Sequence, residues 1–369
     1  MISRAQRLSR ATVTIDLSAV AANVGMLRDL VAPADVWAVV KADGYGHGAT
    51  AVGRAALRAG ARRLCVATWE EARGLREELG DAPVLVMGPL APGEEAHVAG
   101  VDVAVSSVEG FARLQAGARA PLGVHVKVDT GMGRWGMSAA EAVRVADQLD
   151  ADGGLRPAGL MSHLAVADTD AGFTRQQVER FAAVAESFPP CPRHLANSAA
   201  ALRFPEARFD AVRCGIAIYG LSPFAADPDA DGLAPALRME TQVAAVKLLQ
   251  AGESSGYGRR FVAPEPTWIG LAPAGYADGV PRILSGHADV LVGGRRRRVA
   301  ATVSMDQLTF VIGAECDVEP GDPVTLIGRD GDDRILAEEW ARLAGTISYE
   351  IVTSLAPRPR RVEHVVAGP

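Results

Sequence analysis

Along the first two-thirds of the chain, short continuous apolar runs alternate with longer stretches in which apolar residues recur every three or four positions. Eight runs stand out: VWAVVK (36–41), RLCVAT (63–68), PVLVMG (83–88), VDVAVS (101–106), GVHVKVD (123–129), AGLMSHL (158–164), RHLANS (193–198) and AVRCGIAIYG (211–220). Each is too continuous to be half exposed, which marks a strand buried on both faces. Helical patterns lie between most of them. Ala142, Val145, Ala146 and Leu149 fall at i, i+3, i+4 and i+7, and Val178, Phe181, Ala182 and Ala185 repeat the period within 173–188. Ahead of the first run, Val20, Val24, Leu27 and Val31 make another stripe, with Asp16 or Ser18 as its N-cap. Strands alternating with helices predict an α/β fold with a parallel sheet. A (β/α)8 barrel of the TIM type is the economical closure, because a doubly wound open sheet leaves edges to protect.

From about residue 236 the pattern changes to short β-like runs separated by Gly, Pro and Asp: TQVAAVKLL, TWIGLAP, ADVLVGG, RRRVAATVSM, QLTFVIG and DPVTLIG. A second, mostly-β domain is predicted there, so the barrel spans 15–235, the β domain 236–369, and DPDADG (227–232) is the linker. A length of 369 residues agrees with two cores rather than one.

The remaining totals narrow the partners. Hydrophobic residues make up 49% and charged residues 22%, the balance of a globular chain with a sizeable core. A net charge of −6 argues against nucleic acid as the main partner. The single basic run, GGRRRRV (293–299), follows a Gly-Gly turn and reads as a solvated hairpin. Cys65, Cys191, Cys214 and Cys316 lack any CxxC spacing, which predicts reduced thiols in the cytoplasm, with neither a disulfide frame nor a metal site. The N-terminus carries charges without the apolar core of a signal peptide, and no run approaches membrane-spanning length, so no membrane is expected.

In a barrel of parallel strands, working residues sit at the C-terminal strand ends and the loops beyond them. Lys41 ends the first run, with Tyr45 and His47 behind it; Arg134 follows the fifth; His163 closes the sixth; Asn197 and Ser198 end the seventh; Arg213, Gly215 and Ile216 lie in the eighth. The glycines beside Lys41 are not a phosphate-binding P-loop, since there the lysine comes after the glycines. Loops after strands seven and eight are a recurrent phosphate site in barrels. A lysine at strand one opposite such a site suggests a phosphorylated carbonyl cofactor held as a Schiff base, which is pyridoxal 5'-phosphate. Taken singly, His163 reads equally as a core histidine, Ser198 as a helix cap and Arg213 as half of an ion pair. Their placement on one barrel face is what joins them.

These segments resemble the alanine racemase family over essentially the whole chain. VVKADGYGHGA is similar to that family's cofactor-lysine motif, VKVDTGMGRWG to its arginine loop, HLANSAA and RCGIAIYG to its phosphate-side segments, GYADGVPR (275–282) to its tyrosine motif and VSMDQ (303–307) to its substrate-carboxylate loop. The resemblance implies interconversion of L- and D-alanine for peptidoglycan. It also implies a head-to-tail homodimer with shared sites and an N-terminal strand within residues 1–14 packed on the β domain. Lys41 and Tyr276 would be the two bases, and Arg213 the partner of the pyridine nitrogen, with His163 completing the network. Tyr45, Asn197, Ser198, Gly215 and Ile216 would bind the cofactor, and Arg134, Met305 and Asp306 the substrate. Lys127 matches a position often carbamylated in the family and would brace Arg134; a plain surface or ion-paired lysine is the alternative. An unperturbed phenol titrates near ~10, so a tyrosine base needs charged neighbours.

Two departures concern the edge of the site. Pro357 stands where many members carry a tyrosine, and Ala301-Thr302 where many have Gly-Arg. They leave open a serine or broad-specificity racemase on the same fold. An amino-acid decarboxylase is disfavoured because Cys316, in GAECDVEPG, lacks the surroundings of that group's C-terminal cysteine loop, and a non-catalytic cofactor carrier because such carriers resemble the barrel alone.

Overall fold

The computed structural model describes residues 11–119, 121–149, 154–355 and 361–365. The chain forms two compact units, one of Ala19–Phe224 with Pro228–Ala234, the other of Met1–Ser18, Ala225–Asp227 and Pro235–Pro369. Counted along the chain, β1 (Thr12–Asp16) belongs to the second unit. The next eight strands are β2 (Asp35–Val39), β3 (Arg63–Val66), β4 (Val84–Val86), β5 (Asp102–Val105), β6 (Leu122–Lys127), β7 (Leu155–Met161), β8 (Arg193–His194) and β9 (Ala211–Cys214). They pair in sequence order, all parallel, and β9 returns to β2 with Ala38 opposite Cys214, so the barrel closes. All eight apolar runs are the eight strands.

The helices between them bury the predicted stripes. Ala142, Val145, Ala146 and Leu149 face inward from Ala139–Leu149, as do Val20, Val24, Leu27 and Val31 from Leu17–Val31. The Asp16 carboxylate accepts the Ser18 N–H at 2.8 Å at the start of that helix. In Ala171–Glu186, Val178, Phe181 and Ala185 are buried and two polar residues, Thr174 and Gln177, join them. The segment expected to be a linker is instead fastened to the barrel unit: Pro228–Asp231 forms a 3-10 turn, and Asp231 takes Arg203 at 3.0 Å.

In the second unit, β1 lies between β10 (Leu237–Gln242), antiparallel, and β20 (Arg361–Val365), parallel. Their sheet runs β16 (Arg295–Arg298), β15 (Asp289–Val292), β18 (Pro323–Asp330), β10, β1, β20, with β19 (Asp333–Ile335) on β18. A smaller sheet is β11 (Ala245–Leu249), β14 (Thr267–Ala272), β17 (Leu308–Gly313), and β12 (Ser254–Ser255) pairs with β13 (Phe261–Val262). Two helices, Ala337–Ala344 and Ser348–Ser354, were not anticipated. Residues 1–10 and Pro357 lie outside the described residues.

The basic run is the β15–β16 hairpin. Arg295 and Arg297 share Asp317 at 3.0 and 2.7 Å, Arg296 bonds Glu339 at 2.7 Å and Asp333 at 2.9 Å, and Arg298 meets Asp289 at 2.8 Å. Its charge is neutralised within the unit.

Candidate active site

Strand β2 stops at Val39, and Lys41 opens a turn in which Ala42, Asp43, Gly44 and Tyr45 have φ of 52°, 49°, 62° and 54°. This left-handed backbone costs about 1–2 kcal/mol per L-residue, so something must hold it. Glu71 does so from the next strand–helix junction, its carboxylate accepting the N–H groups of Ala42 at 2.6 Å and Ala67 at 2.7 Å. Asp43 accepts the Ala49 N–H at 2.9 Å, and Gly48 N–H closes onto the Asp43 carbonyl at 2.8 Å. Behind the turn, the Tyr45 ring packs on Tyr219 at 5.0 Å and Tyr219 on His47 at 4.5 Å, with the Tyr219 hydroxyl donating to the Val39 carbonyl at 2.9 Å. Burial, and after it the Arg134 charge, lowers the Lys41 pKa from the usual lysine value, with Glu71 opposing. The neutral amine is thereby less costly than it would be on an exposed lysine.

The loop after β6 is built on Asp129, whose carboxylate accepts the N–H groups of Gly131 and Met132 at 2.9 Å and Gly133 at 3.0 Å. At Gly136 (φ 141°) a Cβ would fall 2.5 Å from the Asp129 nitrogen, so only glycine fits. The loop carries Arg134 over the Trp135 ring at 5.2 Å, and the Lys127 ammonium reaches that ring at 5.3 Å. Lys127 is buried; desolvation, then Arg213 and Arg134, push it down to about 8.

Arg213, from β9, is buried and bonds through its two terminal nitrogens. Nη1 donates to the His194 carbonyl (2.6 Å) and His194 Nδ1 (2.7 Å). Nη2 donates to the carbonyls of Ser162 (2.6 Å) and Leu195 (3.2 Å) and faces His163 Nδ1 at 3.3 Å. Its ion-pair reading fails: among the described residues no carboxylate pairs with it. Burial lowers Arg213 to about 10, which leaves it a cation at neutral pH, and Nε–H is the donor these contacts do not use. Burial first, then Arg213, Lys127 and Arg134, hold His163 neutral, well below the usual histidine range.

Asn197 is the cap of helix Ser198–Arg203, accepting the Ala200 N–H at 3.0 Å. Ser198 is the first residue inside that helix, and its hydroxyl accepts Gly215 N–H at 3.0 Å and Ala217 N–H at 3.3 Å. Ile216 starts a buried 3-10 turn, Ile216–Tyr219. The Tyr45 hydroxyl sits in the space a Cβ on Gly215 would fill. The barrel unit therefore brings ten predicted residues into linked loops: Lys41, Tyr45, Lys127, Arg134, His163, Asn197, Ser198, Arg213, Gly215 and Ile216. Four of them are cations that depress one another's pKa or that of His163, an arrangement suited to anionic ligands.

Tyr276, Met305 and Asp306 lie in the other unit. Tyr276 N–H donates to the Ser304 carbonyl and Ala277 N–H to that of Met305, each at 3.0 Å, which locks the two loops together. Tyr276 borders a pocket of about 470 Å³ with Val280, Ile283, Thr346 and Glu350. Ala301 and Thr302 are buried, and the Thr302 hydroxyl donates to the Tyr257 carbonyl at 2.9 Å.

Three supporting residues escaped the sequence reading: Glu71, His194 and Gln177. The Gln177 amide spans two of the loops, donating to the His163 carbonyl at 3.1 Å and the Thr130 hydroxyl at 3.3 Å while accepting Ala165 N–H at 2.9 Å. A glutamine inside an apolar helical stripe was the available signal.

Known proteins share the sequence and fold of this chain. The family model described as alanine racemase, N-terminal domain, matches residues 15–223, and that described as alanine racemase, C-terminal domain, matches 236–363. An alanine racemase of Mycolicibacterium smegmatis is 45% identical over 96% of this chain and 94% of its own. The crystal structure of alanine racemase from D-cycloserine-producing Streptomyces lavendulae superposes with a TM-score of 0.91 at 38% identity, covering 98% of both chains. That of alanine racemase from Bartonella henselae, with covalently bound pyridoxal phosphate, gives 0.87 at 29% identity over 97% of this chain and all of that one. The two family models together span nearly the whole chain, the curated relative is similar over almost its full length, and the chain belongs to the alanine racemase family.

Proposed function

We propose that this protein interconverts L- and D-alanine with pyridoxal 5'-phosphate, using Lys41 and Tyr276 as bases on opposite faces of the α-carbon. The observation that carries this is the grouping of Lys41, Lys127, Arg134 and Arg213 at one barrel mouth, with Lys41 pushed toward its neutral form. The residues fit the cofactor. Tyr45, Ser198, Gly215 and Ile216 would hold its phosphate, the Tyr45 hydroxyl occupying a cradle that exists because residue 215 lacks a side chain. Arg213 Nε–H would face the ring nitrogen. When bound, the cofactor supplies an electron sink that makes the α-proton acidic.

The chain's own groups do the rest. Lys41 Nζ takes or returns the proton on one side of the α-carbon, and Tyr276 Oη does so on the other. Arg134 and the Met305 backbone, with Asp306 beside it, hold the substrate carboxylate. Arg213 keeps its proton, so a ring nitrogen facing its Nε–H would accept a hydrogen bond without being protonated. Held that way, the ring would be a weaker sink, which would favour rapid return of the proton over side reactions.

A head-to-tail homodimer is part of the proposal. Tyr276 and Met305 are 43% and 49% exposed, as a half-site that meets another surface requires. Four free cysteines support a reducing cytoplasm, and supply of D-alanine for peptidoglycan is the role proposed for the reaction. The test is D/L interconversion across a panel of amino acids. Alanine should turn over fastest; a clear preference for serine, or broad activity, selects the second reading. That reading is motivated by Ala301 and Thr302, buried where many family members carry Gly-Arg.

Gly215→Ala should weaken cofactor binding without unfolding the barrel. The added methyl must displace the Tyr45 ring at a cost of about 1–3 kcal/mol, roughly 5- to 150-fold in Kd. Titration of the cofactor-free protein by absorbance reads it, and an unchanged Kd places the phosphate elsewhere.

A further inference from the structure

Barrel interiors of this class are filled mainly by branched apolar side chains. Here a file of polar groups runs through the core. Beyond Arg213 and His194, Nε2 of His194 lies 2.8 Å from Nδ1 of His125, and Nε2 of His125 lies 3.4 Å from Oδ2 of Asp102. The Asp102 carboxylate is bonded by Arg63 and, at 3.1 Å, by Arg156. Both imidazoles are fully buried, and the Trp37 ring covers them at 4.4 and 5.7 Å. Glycines clear the path: a Cβ on Gly159 would strike the His125 ring and come within 3.0 Å of His194 Nε2, and one on Gly123 would strike Asp102.

The chemistry of the ends dictates where the protons sit. A guanidinium has only donors, so Nδ1 of His194 must accept and its proton must be on Nε2. Nδ1 of His125 then accepts in turn, its own proton sits on Nε2, and an ionised Asp102 receives it. Burial favours neutral rings, pushing His125 down to about 4 and His194 well below the usual range. Burial also works to raise the Asp102 pKa, but His125 and Arg63 outweigh it and keep the carboxylate ionised. One arrangement satisfies every bond, and all the bonds point from Arg213 to Asp102. Filling this space with apolar side chains would avoid the desolvation involved, so a functional use is indicated.

We propose that His194, His125 and Asp102 are positioning residues for racemisation: Asp102 fixes the tautomers of two histidines and, through them, the aim of the Arg213 Nε–H. The proposal rests on the racemase reading for its turnover arm only. Oδ2 of Asp102 serves both Arg63 and His125, while Arg156 takes Oδ1. In Asp102→Leu the His125 Nε2–H loses its acceptor and the Nε2 tautomers lose their anchor at that end. A proton that moves to Nδ1 of His194 confronts Arg213 with a donor against a donor, and Arg213 loses a partner.

The test uses the full-length, cofactor-loaded protein labelled with 15N at histidine. In the wild type, His125 and His194 should both be neutral with the proton on Nε2; a proton on Nδ1, or a charged ring, at neutral pH overturns the proposal. Asp102→Leu should shift the protons of the two rings away from Nε2 and lower kcat by on the order of 10-fold or more, with KM changed far less. Shifted tautomers with unchanged kcat, or lowered kcat with unchanged tautomers, each overturn it. Asp102→Asn can keep its amide oxygen where Oδ2 accepts from Arg63 and His125, and should keep the tautomers and most of the turnover; a loss equal to that of Asp102→Leu would mean packing alone matters. Gly159→Ala breaks the file without touching Asp102 and should lower kcat in the same way, and unchanged turnover there counts against the proposal. The nitrogen spectra need no substrate, so failure of the racemase reading leaves that arm decisive.

Discussion

Lys41→Ala loses racemisation by on the order of 10⁴-fold, because two contributions leave with one side chain. A positioned base is by itself worth about 10²–10⁴. The amine at Lys41 is also the covalent anchor in the proposed function, and no second lysine stands in for it: Lys127 is buried on β6 against Trp135. The surrounding turn does not depend on the lysine side chain, since Glu71 and Asp43 hold its backbone. The variant should therefore fold, and its loss of rate belongs to chemistry. Two measurements check it: interconversion of the alanine enantiomers, and borohydride reduction of the loaded protein followed by peptide mass analysis. The wild type should gain mass on the Lys41 peptide and the variant should not. A Lys41→Ala protein that racemises near the wild-type rate would sink the proposal.

Mixing two dead variants should restore about a quarter of the wild-type activity, the fraction expected for a closed two-fold dimer with shared sites. Lys41→Ala and Tyr276→Phe homodimers each lack one base at both sites. Lys41 belongs to the barrel unit and Tyr276 to the β unit. If each site takes its barrel from one chain and its β unit from the other, a mixed dimer has one site with both lesions and one with none. Random reassembly makes roughly half the dimers mixed, and half of their sites are intact. Bases drawn from one chain would instead leave one lesion in every site, and no activity would return. Demonstrably mixed dimers without recovered activity would falsify the shared site while leaving two-base chemistry standing.

The barrel was legible because its signals are local. Eight apolar runs reported burial on both faces, and four i, i+3, i+4, i+7 positions from Ala142 to Leu149 reported one inward stripe. Lys41 was legible for a similar reason, a charge at the end of an apolar run beside glycines. What escaped was set by distance in sequence. Glu71 forms a capping box with Thr68, a pattern visible as T-x-x-E, but its second bond reaches Ala42, and no local rule announces that. His125 and His194 sit inside apolar strands where each alone resembles a core histidine; only the register of β6 to β8 brings their rings together. The helix Ala337–Ala344 carries its signal in Ala337, Trp340 and Ala341 and stops at Gly345, too short a stretch to compete with the surrounding β pattern.

The left-handed turn behind Lys41 also narrows what this segment can tolerate. With three L-residues already at positive φ, replacement by a β-branched side chain at Ala42, Asp43 or Tyr45 adds a clash to existing strain, whereas Ala42→Gly relieves it. Most loops drift freely because many sequences can trace the same path. This one has few neighbours in sequence space, and its spelling is limited by backbone handedness before chemistry imposes any demand.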